Sequence, residues 1–197
     1  MICLSRIASE PLDTFRTDLR LYHSAIRAKV MFILRDELDE AASNFAVKFN
    51  DIKARHRVLF GQDITDKIEI PAESLQQGLR ALLLDLSIRL RERYALMSLR
   101  EEQLIPIIAE SASPLRAAAF AWLELRGESQ GISPREALER IVEETGRAEF
   151  ISAVSALPSA RQDQCLPAGE AGGVLLHLSE LASFLFAQLK GQSETNL

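Results

Sequence analysis

The sequence has few of the residues that covalent or metal-based architectures need. Its two cysteines, Cys3 and Cys165, lie far apart, and its three histidines, His23, His56 and His177, are widely separated. A disulfide framework is therefore excluded, and the free thiols predict a reducing compartment. Because no histidine lies three or four residues from a cysteine or another histidine, the usual zinc-ligand spacings are missing too. We expect no metal and no cofactor.

Long apolar runs are also missing. A bilayer span needs about 20 mainly apolar residues. The longest candidate, GGVLLHLSELASFLFAQL, is interrupted by His177, Ser179, Glu180 and Ser183. The amino-terminal MICLSRIASEP lacks the apolar core and cleavage site of a secretory signal. We therefore expect a cytoplasmic protein without a membrane partner.

The sequence also lacks an excess of positive charge. The net charge of −5 gives no general attraction to phosphate backbones, so we expect no nucleic-acid partner. The 197 residues are 47% hydrophobic and 26% charged, which is typical of a folded globular protein. This length suffices for one domain with a full core, or for a domain with a small appendage.

Catalytic and phosphate-binding motifs do not occur either. The sequence contains no G-x-S-x-G, no G-x-x-x-x-G-K-[ST] and no G-x-G-x-x-G. The glycines of AGEAGGVLLHL precede a predicted helix, where they are better explained as a bend in the chain than as a phosphate cradle. Carboxylate pairs fall at helix ends or on solvated faces. The residues thus predict a protein without enzymatic activity.

Helical periodicity dominates what is present. Apolar residues recur at three- and four-residue steps from Pro11 to Ile26, and a second helix is predicted from Asp36 towards Arg55. The strongest repeat spans six turns and follows Pro71, which the first turn tolerates. Its members are Leu75, Leu79, Leu82, Leu83, Leu86, Leu90, Tyr94 and Met97.

Three later helices are predicted from their ends. Ser113 and Pro114 are an N-cap and first helical residue in SASPLRAAAFAWLELRG, which ends at Gly127. SPREALERIVEETG repeats this pattern at residues 133–146 and adds a capping box. A last helix is predicted at about 174–190, after a linker at 157–173.

Sheet signals are few. KVMFIL at 29–34 is a buried strand or a continuation of helix, and in HRVLFGQDITDKIEIP at 56–71 the VLF and IEI triplets predict short extended pieces. The sequence therefore predicts a mainly α fold: a helical bundle of five to seven helices, with at most a few short strands near residues 29–34 and 57–70.

Two segments, ELDEAASNFAVKFNDIKARHRVLFGQDI and IEIPAESLQQGLRALLLDLSIRLRERYAL, resemble a known family. They are similar to the junction between the catalytic palm and the helical domain in bacterial proteins of the minimal-nucleotidyltransferase type. The matching elements are a strand at 32–34, a helix start at 37–38, an apolar stretch at 45–52, an H-R-V-L-F-G-x-D turn at 56–63 and an L-R-x-x-Y ending at 90–94. The resemblance covers residues 29–190 and implies the helical region of such a protein.

The chain departs from that family at the catalytic residues. The family's palm uses a Gly-Ser turn and a D-x-D magnesium motif, and neither occurs here. The 31 residues before the matching strand are too few for a palm. No catalytic residue is carried over. We expect residues 1–70 to hold N-terminal helices and a connector that resembles the end of a palm, residues 71–190 a helical bundle, and residues 191–197 a disordered tail.

Two groups of side chains on the long helix are candidate binding residues. A run of leucines widens its apolar stripe and predicts an interface with a second copy or a separate protein. This candidate interface consists of Leu82, Leu83, Leu84 and Ile88. Arg80, Arg89 and Arg93 form a candidate anion-facing edge, for which the alternative is a solvated flank.

Three functional hypotheses remain open at this point. The first is a non-catalytic helical protein that acts through protein contacts or self-association, most simply as a dimer. The second is a nucleotide-binding or HEPN-like helical module that works with a separate nucleotidyltransferase. HEPN nucleases carry an R-x₄₋₆-H motif, and the nearest arginine before His177 is Arg161. The third is a stable bundle whose role is set by its genomic context.

Overall fold

The computed structural model describes residues 1–26 and 28–195, in which helices dominate. Six of the nine α-helices in these residues have ten or more residues, and the predicted mainly α bundle is confirmed. The strands are β1 (Ile2–Leu4) and β2 (Phe32–Leu34). The helices are α1 (Ser9–Ile26), α2 (Leu38–Asn44), α3 (Ala46–Arg55), α4 (Ala72–Met97), α5 (Glu101–Leu125), α6 (Pro134–Thr145), α7 (Ala148–Ser155), α8 (Leu157–Gln162) and α9 (Ala171–Thr195).

The main core lies between α4, α5 and α9. α4 begins after Pro71 and buries one residue per turn against its neighbours, as the six-turn repeat predicts. α3 packs against α4 near Gly78, where a Cβ would lie in ordinary contact with the Val47 side chain at 3.5 Å. Between α4 and α9 the buried hydroxyl of Ser179 donates to the Ser87 carbonyl at 3.1 Å. The three longest helices therefore form the frame against which the other helices of the main core lie.

α5 begins thirteen residues earlier than its sequence indicates, at Glu101 instead of Pro114. Ser113 and Pro114 lie inside it, so the predicted N-cap at Ser113 is wrong, whereas the end before Gly127 is confirmed. A proline inside a helix removes one backbone hydrogen bond and costs about 3 kcal/mol. α5 carries two, Pro106 and Pro114, and is buried on several faces. Packing of the helix thus outweighs its intrinsic propensity.

α5 and α9 also have the length and mean hydropathy of membrane-crossing helices. About half of the apolar window of α5, and 44% of that of α9, is buried inside the protein. These are core helices of the bundle, and core burial explains their composition.

The predicted capping box of α6 is confirmed. The amide of Ser133 donates to Glu136 Oε2 at 2.8 Å, and the amide of Glu136 donates to Ser133 Oγ at 3.3 Å. Gly146 ends the helix with a φ of 65°, a conformation in which glycine carries no Cβ penalty. The sequence of this helix fixes both of its ends.

Two predictions for the carboxyl-terminal region need correction. The linker predicted at 157–173 contains α8, because Leu157 and Ala160 bury against the main core. The predicted disordered tail overlaps the end of α9, which continues to Thr195. Residues 196–197 lie outside the described part of the chain.

The amino-terminal part forms a separate small core. β1 and β2 pair in parallel with Ile2 opposite Phe32, and α1 connects them. This core consists of Ile33, Leu38, Ala42, Phe49 and Ile68. Of the two places where short strands were allowed, only 29–34 contains one: within the described residues the segment 57–70 is irregular apart from a 3₁₀ turn at Thr65–Lys67. The amide and the hydroxyl of Thr65 donate to Asp63 Oδ1, and these hydrogen bonds hold the segment instead of strand pairing.

Candidate interaction surface

Exposed apolar side chains are concentrated in the first 60 residues. Among the described residues seventeen large hydrophobic side chains are exposed, and twelve of them lie in this part of the chain. We call these twelve the N-terminal apolar surface. They are Met1, Ile7, Phe15, Leu21, Tyr22, Ile26, Val30, Phe32, Phe45, Val58, Leu59 and Phe60.

α1 contributes the largest share of this surface. It contacts the sheet through Phe15, whose ring lies 6.4 Å from that of Phe32 in β2. At its carboxyl-terminal end Leu21, Tyr22 and Ile26 remain exposed, Ile26 to 73%. α1 therefore covers the sheet only partly and leaves an apolar end in solvent.

The two-stranded sheet has one blunted edge and one open edge. On the outer side of β2 the amide of Leu34 donates to Glu37 Oε2 at 2.9 Å. On β1 the amide of Ile2 donates to the Met31 carbonyl at 2.8 Å. Because successive amides in a strand point to opposite sides, the N–H of Cys3 points away from β2. Among the described residues, the outer edge of β1 therefore has no partner strand.

The connector between α3 and α4 is closed by a cluster of three polar side chains. His56 Nε2 lies 2.7 Å from Asp63 Oδ2 and 2.9 Å from Thr65 Oγ1, and His56 Nδ1 lies 3.2 Å from the Lys53 carbonyl. The Thr65 hydroxyl lies 2.7 Å from Asp63 Oδ1 and donates to it. Both ring nitrogens have an oxygen acceptor, so the protonated imidazole satisfies the arrangement best.

His56 and Asp63 each shift the pKa of the other towards its charged form. The hydrogen bond that His56 makes to the negatively charged Asp63 raises the pKa of His56 above 6.5. Hydrogen bonds from Thr65 and then from His56 lower the pKa of Asp63 to about 2. In a catalytic triad the hydroxyl and the carboxylate occupy different nitrogens of the imidazole. Here both face Nε2, so the cluster fastens the loop and activates no nucleophile.

The loop fastened in this way carries an apolar tip. Leu59 is 86% exposed and Phe60 is 99% exposed, next to Gly61, whose φ is +81°. Burial of such side chains is favourable and their exposure needs a reason. Within the described residues, the His56–Asp63 contact closes the base of this loop while its tip stays in solvent. The tip belongs to the N-terminal apolar surface.

The candidate interface on α4 is only partly at the surface. Leu83 is fully buried at 0% exposure, so its inclusion in an interface is wrong: the helical repeat turns it into the main core. Leu82 is half-buried against the same core. Leu84 at 41% and Ile88 remain exposed one turn apart. Of the four side chains in the candidate interface, two are therefore exposed.

The three arginines of the candidate anion-facing edge have different surroundings. Arg89 forms an ion pair with Asp85 at 2.8 Å on the exposed side of α4. Arg80 is half-buried and Arg93 is exposed. One of the three positive charges is thus neutralised within the same helix. The role of this edge in anion binding stays a prediction.

The amino-terminal end of α9 is already occupied. Glu101 Oε2 accepts from the Gly169 amide and Glu101 Oε1 accepts from the Ala171 amide, each at 2.8 Å. These hydrogen bonds lower the pKa of the Glu101 carboxyl. A carboxylate of the chain itself therefore takes the position that an anion would need at this glycine-rich turn.

Comparisons of the chain with known protein families, with curated protein sequences and with solved structures found no match. The likeness to the nucleotidyltransferase junction therefore rests on the sequence pattern. Across the described residues no group of three or more histidine, cysteine, aspartate or glutamate side chains is arranged to hold a metal ion. The features that the structure offers for function are surfaces and charge clusters.

The sequence contained a signal for part of this surface. VLF directly precedes Gly61, and a turn with three consecutive apolar residues exposes at least some of them. The exposure of Tyr22 and Ile26 had no comparable signal, because their spacing is that of an ordinary buried stripe.

Proposed function

We propose that this chain is a non-catalytic interaction protein that self-associates through the N-terminal apolar surface. The observation that carries the proposal is the concentration of twelve of seventeen exposed large hydrophobic side chains in the first 60 residues. Exposed apolar side chains favour protein contacts, because their removal from water is favourable. The proposal moves the interface from α4 to the amino-terminal unit.

A second copy of the same chain is the partner that the charges favour. Residues 1–70 contain eleven lysines and arginines and eleven aspartates and glutamates. Two copies of this neutral unit meet without net repulsion, and a unit near zero charge associates readily. The remaining residues carry the whole net charge of −5 and would repel their own copies. Self-association through the neutral part follows.

The sheet provides a way to join two copies. Parallel sheets normally have several strands and are buried on both faces, so two parallel strands are an incomplete unit. β1 has the open edge, and a two-fold axis beside it would pair β1 with β1 of the second copy. Tyr22, Ile26 and the loop tip at 58–60 would then supply apolar contact around the new sheet.

The first experiment compares two sets of charged variants in solution. Ile26→Glu and Leu59→Glu place a carboxylate on the N-terminal apolar surface, and Leu84→Glu and Ile88→Glu place one on the exposed face of α4. All four positions are exposed, so folding should persist. Mass is measured by light scattering after size exclusion, over about two orders of magnitude in protein concentration.

We expect a wild-type dimer that Ile26→Glu and Leu59→Glu weaken by about tenfold or more, because a buried unpaired charge is costly. The α4 variants should remain dimers. A wild-type monomer at every concentration would overturn self-association. Dissociation by the α4 variants alone would return the interface to Leu84 and Ile88.

A proline substitution tests the pairing through β1. Cys3→Pro removes the outward amide and leaves the bond between Ile2 and Met31 intact. We expect Cys3→Pro to be monomeric with a near-normal melting curve, while the matched Cys3→Ala variant stays dimeric. A dimeric Cys3→Pro protein would exclude strand pairing and leave the apolar contacts as the means of association.

We also propose a cytoplasmic location. Cys165 is exposed and Cys3 is half-buried, and both are free thiols. Thiols of this kind are retained in reducing compartments. Alkylation of intact cells followed by mass measurement should find both thiols unoxidised; a mixed disulfide on either would contradict this location.

A further inference from the structure

The loop at residues 57–62 depends on its two ends for its shape. Among the described residues, none within this loop makes a hydrogen bond to another part of the chain. His56 directly follows α3, and Asp63 precedes the 3₁₀ turn at Thr65–Lys67. The loop is therefore closed by the hydrogen bond between His56 Nε2 and Asp63 Oδ2, at 2.7 Å. We call this hydrogen bond the closing contact.

The atoms around the imidazole require a proton on each ring nitrogen. His56 Nδ1 lies 3.2 Å from the Lys53 carbonyl, and Nε2 faces the Asp63 carboxylate, so both neighbours are acceptors. The Thr65 hydroxyl donates its hydrogen to Asp63 Oδ1 at 2.7 Å. A neutral imidazole has a single N–H. Loss of the proton therefore leaves one ring nitrogen with its lone pair against an oxygen, and the closing contact weakens.

One charged side chain governs this proton. Asp63 contacts the His56 ring, whereas Lys53 offers its carbonyl and directs its ammonium group to another main-chain carbonyl at 2.5 Å. Within the described part of the connector, Asp66 and Lys67 make no hydrogen bond or ion pair with the ring. The hydrogen bond to Asp63 raises the pKa of His56 above 6.5. The closing contact is thus fully present below pH 6.5 and is lost as the pH rises through the folded-state pKa.

The closing contact also limits where the loop tip can lie. Leu59 and Phe60 are the most exposed side chains of this loop and belong to the N-terminal apolar surface. A loop held at its base loses little further freedom when its tip is buried against another molecule. An open loop of the same length has more conformations, and association must remove them. The proton on His56 therefore lowers the entropic cost of burying the tip.

We propose that the closing contact is a pH-sensitive switch that strengthens self-association when His56 is protonated. The inference rests on the proposed function, since the regulated event is the contact of the loop tip with a second copy. With the proton bound, the loop is closed and Leu59 and Phe60 pack against that copy. After the proton is lost, the loop opens and the dimer dissociates more readily. Histidine suits this role because its charge changes near neutral pH.

The experiment measures association and loop opening separately, at about pH 6 and about pH 9 with a thiol reductant present. Sedimentation equilibrium gives the dissociation constant of the dimer. Loop opening is the rate of chymotrypsin cleavage after Phe60, measured at low concentration in the Ile26→Glu protein so that a second copy does not shield the tip. Division by the cleavage rate of a free peptide of residues 53–67 at the same pH corrects for the pH dependence of the protease.

The variants separate His56 from other groups that titrate in this range. His56→Gln cannot gain or lose the proton, and Asp63→Asn removes the carboxylate that holds it. The matched controls are His23→Gln and His177→Gln, because these are the other two histidines of the chain. Thermal unfolding confirms that every variant is folded at both pH values.

We expect the dissociation constant of the wild-type dimer to be about fivefold larger at pH 9 than at pH 6, and the corrected cleavage rate to rise with it. His56→Gln should lose this pH dependence. Asp63→Asn should lose it too, and should associate at both pH values as weakly as the wild type does at pH 9. The two control variants should keep the wild-type pH dependence within about twofold.

The possible failures are distinguishable. A dimer with equal dissociation constants at the two pH values would overturn the switch and leave the proposed self-association intact. An unchanged pH dependence in His56→Gln would assign the effect to another group, and a corrected cleavage rate that is the same at both pH values would show that the loop stays closed. A wild-type monomer at both pH values contradicts the proposed function itself, and the regulation fails with it.

Discussion

Glu101 and Ala171 are the first residues of α5 and α9, and one hydrogen bond joins these two helix starts. The Ala171 amide donates to Glu101 Oε1 at 2.8 Å, and the Gly169 amide donates to Oε2 of the same carboxylate. A helix start has amides without internal partners and a partial positive charge. The side chain of one core helix therefore caps another that follows 70 residues later.

The first prediction concerns Glu101→Gln and its dependence on pH. The pKa of Glu101 is lowered below its ordinary value of 4.5 in the folded protein, so the ionised carboxylate stabilises the fold. This contribution is fully present above pH 4.5 and is lost as the pH falls through the folded-state pKa. We expect Glu101→Gln to be less stable at neutral pH and equal to wild type in strong acid, in urea unfolding.

Glu102→Gln is the matched control for this variant. Glu102 is the next residue of α5 and is exposed, with no hydrogen bond to α9 among the described residues. Its unfolding curve should follow the wild type at both pH values. Equal destabilisation of the two variants would show that the general charge at the start of α5 matters, and not the bond to α9.

The second prediction concerns the titration of His56. Its pKa is raised above 6.5 by the hydrogen bond to Asp63, so the contribution of this contact is fully present below pH 6.5 and is lost as the pH rises through the folded-state pKa. We expect the proton resonances of this imidazole to titrate above 6.5. In Asp63→Asn the pKa should return towards 6.5.

Asp66→Asn provides the comparison for the His56 titration. Asp66 carries the same charge three residues further on, within the 3₁₀ turn. The pKa of His56 should change little in that variant. A similar fall in both variants would mean that the field of several carboxylates, rather than the contact at 2.7 Å, holds the proton.

The third prediction separates the core and surface leucines of α4. Leu83→Ala should lower the free energy of unfolding by about 2–5 kcal/mol, because it removes a fully buried side chain and leaves a cavity. Leu84→Ala, at the next position, should cost about 1 kcal/mol or less. Denaturant unfolding measures both. Equal losses would place Leu84 in a buried contact.

The fourth prediction tests the capping box of α6. Ser133→Ala removes the side-chain acceptor of the Glu136 amide and should cost about 1 kcal/mol. Ser133→Asp keeps an acceptor at the N-cap and should retain most of the stability. If Asp fails to substitute for Ser in thermal unfolding, the loss in Ser133→Ala has a different origin.

Local patterns predicted the helices whose ends depend on neighbouring residues. α6 has its cap, its first-turn proline and its final glycine within fourteen residues, and all three are in the structure. α5 was misplaced because Pro114 resembles a helix start, and only its packing against α4, α6 and α9 keeps it inside a helix. Local signals fail where tertiary contacts outweigh propensity.

The candidate sites were harder to predict for the same reason. Leu83 and Leu84 differ in exposure although they are adjacent leucines, because the helix rotates one of them into the core. Functional surfaces depend on how the helices pack, and no short segment of the sequence shows that packing.

The pairing of α4 with α9 also bears on the order of events during synthesis. α4 packs closely against α9, although about 75 residues separate the two helices along the chain. The apolar face of α4 leaves the ribosome well before α9 does, at synthesis rates of about 5–20 residues per second. For those seconds Leu79, Leu83 and Leu86 lack one of their permanent neighbours. The apolar face of α4 is covered by α9 only when synthesis has passed Leu189.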